Sequence, residues 1–216
     1  MALKLYYHPL SSFCHKVLIA LYENDAPFEP VLVDLGEEKS RAAFLKIWPM
    51  GQFPVLVDEG RNHMVPESSI IIEYLNQHYP GKTKLLPEDG ERARQTRMRD
   101  RFFDFHVHIH MQKIMGDRRR PDGGHDPIGV QDAKDRVLRA YALIEEDLAQ
   151  KTWAMGDDFT MADCAAAPAL FYGSMGVPFG EHKNAAAYLE RLKQRPSYTR
   201  VLKEAEPYFS MLPKEN

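Results

Sequence analysis

The chain has 216 residues, 44% of them hydrophobic, which is enough to bury a substantial core in one large domain or two modest ones. Its 28 Lys plus Arg stand against 31 Asp plus Glu, and the formal net charge of −3 argues against nucleic acid as a partner. Cys14 and Cys164, the only 2 cysteines, are too few for a disulfide framework and fit a reducing compartment. The longest apolar run, around Cys164 to Tyr172, is too short to cross a bilayer and contains Pro168. Met1-Ala2-Leu3-Lys4 does not open a secretory signal, so a cytoplasmic protein without membrane contact is expected.

Leu3, Leu5 and Tyr7 alternate as in a half-buried strand, and Val17, Leu18, Leu21 and Tyr22 recur at helical spacing. The turn between them, Ser11-Ser12-Phe13-Cys14, therefore sits at a helix N-terminus. Unpaired backbone N–H groups and about half a positive charge favour an anion such as a thiolate there. Ser11 can donate its hydroxyl hydrogen to that anion, although a serine is also an ordinary N-cap. Cys14, one turn in, fits a small buried hydrophobe, with a reactive thiol as the alternative.

Residues 27–33 read as a second strand, which Pro27 and Pro30 place at a sheet edge. Residues 37–47 read as a short charged helix broken by Trp48-Pro49-Met50-Gly51. Residues 54–58 and 62–65 read as two strands about a turn at Glu59-Gly60-Arg61, and residues 68–78 return to helical spacing. The order is β-α-β-α-β-β-α. Phe53-Pro54 opens a strand at a position where proline has no ladder donor. Either it is the first residue of an edge strand, or its bond is cis and leaves the Phe53 backbone free to pair with an extended peptide. Glu67-Ser68 begins the third helix, where the serine hydroxyl and free N–H groups suit a carboxylate and Glu67 suits an amine. A helix cap explains the same pair structurally.

Beyond the proline-bounded connector at 80–87, strand patterns cease. Met98, Phe102, Phe105 and Ile109 step by helical intervals, as do Val137, Tyr141, Ile144 and Leu148, and both rows are expected to face a core. Thr160-Met161-Ala162-Asp163 has the spacing of a capping box, and the alanines after it suit a closely packed buried helix. His106 and His110 share a helix face at i,i+4, but no third metal ligand accompanies them. They and His108 are expected to flank a pocket, and no metal is expected. Arg92 to Arg101 read as solvated or partner-facing charge, and Arg118 to Arg120 as a solvated loop, with attraction of an anionic substrate as the alternative. Trp153 and Cys164 read as core, and Phe171-Tyr172 either face a substrate or pack inside.

Gly51-Gln52-Phe53-Pro54-Val55-Leu56 and Pro66-Glu67-Ser68-Ser69-Ile70-Ile71-Ile72-Glu73-Tyr74-Leu75 resemble the G-x-V-P-x-L and E-S-x-A-I-x-x-Y-L segments of the bacterial cytosolic glutathione S-transferases. Phe53 stands where valine is commoner, and Phe159-Thr160-Met161-Ala162-Asp163 is similar to the family's F-T-x-A-D helix cap. The resemblance implies a thioredoxin-like α/β domain over residues 1–80, a linker over 81–88 and an all-α substrate-binding domain over 89–216. It implies glutathione as co-substrate, with Glu67 and Ser68 on its γ-glutamyl end, the Phe53 backbone on its cysteinyl part and Gln52 towards its glycyl end. Ser11 matches the serine that hydrogen-bonds the thiolate in the theta-like and zeta-like classes, while Cys14 takes the place of the second cysteine of a thioredoxin C-x-x-C motif. The implied activity is glutathione transfer to a small electrophile by a homodimer. A zeta-like isomerase and a non-catalytic binding module of the same fold are the alternatives. Lowering a thiol pKa by about two units takes roughly 2.7 kcal/mol. One charge-assisted hydrogen bond of about 1.5–3 kcal/mol and a helix N-terminus of about 0.3–1 kcal/mol suffice without a metal.

Overall fold

The computed structural model describes residues 3–213; Met1, Ala2 and residues 214–216, which the domain expectation included, lie outside them. The first half runs β1 (Leu3–Tyr7), α1 (Ser12–Glu23), β2 (Glu29–Leu32), α2 (Glu38–Ile47), β3 (Val55–Asp58), β4 (His63–Pro66) and α3 (Ser68–His78). The strands form one 4-stranded sheet in the order β2-β1-β3-β4, so the proline-bearing β2 occupies an edge, as its sequence predicts. β1 pairs parallel with β2 and antiparallel with β3, and β3 pairs antiparallel with β4.

The two-residue period of the strands sorts the side chains. Leu3, Leu5, Leu56 and Val65 face α1 and α3, whereas Val55, Tyr6 and Val57 join Phe44 of α2 in a smaller cluster. α1 begins at Ser12, ahead of the apolar period that starts at Val17. It is buried nearly all round, including His15 and Lys16, because it is covered by the sheet on one side and by the second half of the chain on the other. α2 is capped by Glu37, whose carboxylate accepts from the N–H groups of Lys39 and Ser40 at 2.9 and 2.7 Å. After α2 the chain turns at Gly51, whose φ of +65° suits a residue without Cβ.

The second half contains α4 (Gly90–Phe102), a π-helical turn (Phe103–His108), α5 (Ile109–Asp117), α6 (Pro127–Asp147), α7 (Met161–Gly176), α8 (Lys183–Gln194), α9 (Pro196–Ala205) and a final 3-10 stretch (Glu206–Met211). α7 is the central helix, with Ala165, Ala166 and Ala167 at most 1% exposed. Both bonds of its capping box form, and the Asp163 carboxylate also accepts from the Ala154 N–H at 2.8 Å and the Tyr188 hydroxyl at 2.5 Å. The row Val137, Tyr141, Ile144 and Leu148 on α6 lies in the core as expected, as does Cys164, while Trp153 is half-buried against it.

The row on α4 and α5 does not. Met98, Phe105 and Ile109 are each about half exposed and Phe102 is half-buried, while the inward face carries Ala93, Thr96, Asp100, Phe103, Val107, Met111 and Ile114. An apolar period does not mark a buried face that opens with an alanine, a threonine and an aspartate. That aspartate belongs to a buried charge cluster between the halves. Lys16 of α1, 1% exposed in its side chain, reaches Asp100 at 2.6 Å, Asp104 at 2.8 Å and Ser69 Oγ at 2.8 Å. Arg101 closes the cluster against Asp100, Asp104 and Ser69. A second seam joins Glu23 of α1 to Arg195, Ser197 and Thr83. A single apolar core runs through both halves, from Leu5 and Val17 to Ala166 and Tyr198. Among the described residues, no helix is long and apolar enough to cross a membrane.

Candidate functional site

Ser11 is the N-cap of α1. At φ −75° and ψ 117° it stands just outside the helix, and its Oγ accepts the Cys14 N–H at 3.3 Å. Accepting that bond leaves the hydroxyl proton free to be donated elsewhere. Ser11 lines a cleft of about 480 Å³, within the range of about 300–1,000 Å³ usual for small-molecule sites. Gln52, Phe53, Glu67 and Ser68 line the same cleft. All five residues that the sequence pattern selected therefore meet in one place.

The two serines of the turn are separated by their partners. Ser12 is buried, with Oγ 2.7 Å from His108 Nε2, and Phe13 stacks on the His108 ring at 4.1 Å between centroids. Burial, with the nearby Lys16 charge, pulls the His108 pKa down to about 3, so this ring is neutral at ordinary pH. His108 thus anchors the turn from behind, and, against the expectation that these histidines flank a pocket, none of His106, His108 and His110 lines the cleft. Among the described residues, no group of three or more His, Cys, Asp or Glu is placed to hold a metal ion.

Cys14 faces inward. It is fully buried, and burial pushes its thiol up to about 12 despite the Ser11 contact. A thiol so placed stays protonated, which removes the basis for reading Cys14 as the reactive group. His15 is likewise buried and neutral, its pKa lowered by burial to about 4 with its Nε2 2.5 Å from the Pro9 carbonyl.

On the opposite wall the Phe53-Pro54 bond is cis, and Phe53 precedes the first paired residue of β3. Glu67, the N-cap of α3, has φ +71° and makes no side-chain capping bond. For a residue with a Cβ this left-handed conformation is strained, and such strain concentrates at working sites. It replaces the capping role the carboxylate was free to take: the side chain is left for the cleft. Ser68, the first residue of α3, is buried at the cleft floor beside it.

Sequence reasoning missed the contribution of α4, the π turn and α5. Arg101, Asp104, Phe105, Ile109 and Gln112 complete the cleft. Arg101 was hidden in a row of arginines, most of which pair with surface carboxylates such as Glu91 and Glu73. Phe105 and Ile109, expected in the core, are the apolar wall. A second cavity of about 520 Å³ adjoins the first and shares Ser11, Leu35, Phe53 and Gln112 with it. Tyr172 lines this second cavity, while Phe171 packs on Phe209 at 6.0 Å between centroids.

Comparison with known proteins agrees with this geometry. The description "Glutathione S-transferase, N-terminal domain" matches residues 5–83, and "Glutathione S-transferase, C-terminal domain" matches residues 104–196. The chain is 27% identical over 191 residues to glutathione S-transferase GstB of Escherichia coli, covering 87% of this chain and 91% of that protein. It is 28% identical over 211 residues to maleylacetoacetate isomerase of Pseudomonas aeruginosa, covering 96% of each. A glutathione S-transferase of Methylobacterium radiotolerans, solved in complex with glutathione sulfonate, superposes with a TM-score of 0.80 at 25% identity, over 99% of this chain and 96% of that one. The chain belongs to the glutathione S-transferase family, and its activity is that of a glutathione transferase.

Proposed function

We propose that the cleft binds glutathione and that Ser11 activates its thiol for attack on a small electrophile held in the adjoining cavity. The observation that carries this reading is the convergence of Ser11, Gln52, Phe53, Glu67 and Ser68 on one cleft at the N-terminus of α1. Ser11 Oγ–H and the positive end of α1 stabilise the thiolate; Glu67 takes the ligand's amine and Ser68 its carboxylate. The unpaired Phe53 backbone takes the cysteinyl portion and Gln52 the glycyl end. The chemical step is a proximity and electrostatic one, with no metal required. Residues 1–80 act as the glutathione-binding part and residues 89–216 as the substrate-binding part. The family likeness favours a cytoplasmic homodimer working in detoxification, and half-exposed Ile70 of α3 and Met98 of α4 offer apolar surface for such an assembly.

Calorimetry with glutathione on wild type and Glu67→Ala, paired with conjugation of chlorodinitrobenzene, tests the reading. Binding that Glu67→Ala weakens, together with conjugate formation, supports it; absence of binding to the wild type favours a non-catalytic module instead. The zeta-like isomerase is a second reading, supported by the near full-length likeness to a maleylacetoacetate isomerase and by the Ser11-Ser12 turn. Net consumption of glutathione separates the two, since an isomerase returns it.

A further inference from the structure

His8 stands three residues before Ser11 in the same turn, and its carbonyl accepts the Ser11 N–H at 3.0 Å. Its side chain lines the second cavity together with Ser11. The ring is held on both sides, stacked on Phe53 with centroids 6.1 Å apart and edge-on to Tyr208 at 5.5 Å. Nδ1 accepts the Leu10 N–H at 3.2 Å, so in the neutral ring the proton resides on Nε2. Among the described residues, Nε2 has no hydrogen-bond partner. Burial lowers the His8 pKa, a fall that the Asp34 carboxylate partly opposes, and the ring is therefore neutral near pH 7. Asp34 and Arg119, both exposed, are the charged side chains on this cavity's wall. The remainder of the wall is mostly apolar and includes Met111, Met115 and Met211, whose flexible thioethers adapt to varied shapes.

We propose that His8 is a second catalytic residue, whose Nε2–H donates to the oxygen that becomes negative as the glutathione thiolate adds to an α,β-unsaturated carbonyl compound. Conjugated ketones and aldehydes are then the substrate class of the second cavity. This rests on the glutathione reading of the first cleft. In the step, the sulfur–carbon bond forms at the β-carbon and the carbon–carbon π bond breaks. That electron pair moves through the α-carbon onto the carbonyl oxygen as an enolate, and water then supplies a proton to the α-carbon. Nothing is oxidised or reduced, and no group leaves. A neutral donor fixed before the reaction is the arrangement that favours charge appearing on oxygen. An alkyl halide instead expels its charge as a diffuse halide ion, which gains little from one such donor.

The test compares benzylideneacetone with benzyl chloride. His8→Phe keeps the stacked ring and removes the donor. It is expected to lower kcat/KM for benzylideneacetone by about 10–100-fold, less than the about 100–1,000-fold of a fully enclosed oxyanion donor because the cavity is open to solvent. Benzyl chloride turnover and the glutathione Kd by calorimetry should stay within about twofold, and His8→Gln, which restores an N–H, should recover part of the loss. An equal fall with both substrates, or no fall with benzylideneacetone, overturns the proposal. So does a wild type that conjugates benzyl chloride but not benzylideneacetone, an outcome that leaves the glutathione reading intact. A wild type that neither binds glutathione nor conjugates either substrate overturns both. Should His8→Phe fail to fold, His8→Leu read by the same substrate ratio decides.

Discussion

Ser11 carries two burdens that substitution can separate. Its Oγ accepts the Cys14 N–H at 3.3 Å and so caps α1, and its proton is assigned to the thiolate of bound glutathione. Ser11→Ala removes both. Ser11→Gly removes the hydroxyl but leaves a residue that ends helices nearly as well as serine, with a penalty of only a few tenths of a kcal/mol against about 1 kcal/mol for alanine. A hydrogen bond to a charged partner is worth about 1.5–3 kcal/mol, so both variants should raise the pKa of the bound thiol by about 1–2 units. Below that pKa, kcat/KM for chlorodinitrobenzene should fall by about 10–150-fold in each. The assays are thiolate absorbance of the glutathione complex against pH, steady-state turnover, and urea denaturation. Loss of activity should be equal in the two variants while loss of stability appears in Ser11→Ala alone. Wild-type turnover and an unchanged thiol pKa in Ser11→Gly would refute the reasoning, because the anion would then be held by something other than this hydroxyl.

Glu67→Gly should release left-handed backbone strain of about 1–3 kcal/mol while losing the carboxylate. Thermal unfolding should be unchanged or higher, with glutathione binding weaker by calorimetry; a drop in both would contradict the assignment. Cys14, buried and with a thiol pushed up to about 12, should resist iodoacetamide in the native protein and react only on unfolding, as peptide mass spectrometry can read. Lys16→Met leaves Asp100 and Asp104 to share the one cation Arg101 and should destabilise the fold by about 3–5 kcal/mol in urea titrations. For Glu23, burial raises the pKa, but hydrogen bonds from Arg195 and Ser197 outweigh it and leave the value below 4.5. Its contribution to stability is therefore present above pH 4.5 and lost as pH falls through the lowered value. Glu23→Gln should flatten that part of the acid unfolding curve, and an identical curve would remove Glu23 from the account.

The first half of the fold was legible because its signals are local. Alternation marked β1, prolines marked the edge strand, and Ser11, Phe53 and Glu67-Ser68, selected through their order and the family resemblance, line one cleft. The second half was legible only where burial is apolar, as on α6. On α4 the inward face is written in Ala93, Thr96 and Asp100, and no hydropathy period points to an aspartate whose partner, Lys16, is 84 positions away in the chain. The π turn added a further difficulty, since it shifts the faces of the helix at Phe103–His108 without any proline or glycine to announce it. For the same reason Phe105 and Ile109 were placed inside, although they line the cleft. The isomer of Phe53-Pro54 was left open because both isomers suit a proline at the start of a strand.

The Lys16 cluster has two cations and two carboxylates, contributed by both halves of the chain and closed over with almost no solvent contact at Lys16 and Asp100. Buried charges are weakly screened, so added electrolyte that loosens the surface pairs should leave this joint fastened. Cutting the chain in the 81–88 connector would not liberate two autonomous pieces. Each would expose the flank of a shared interior, and melting should accordingly occur as one event rather than as the sequential loss of a sheet part and a helical part.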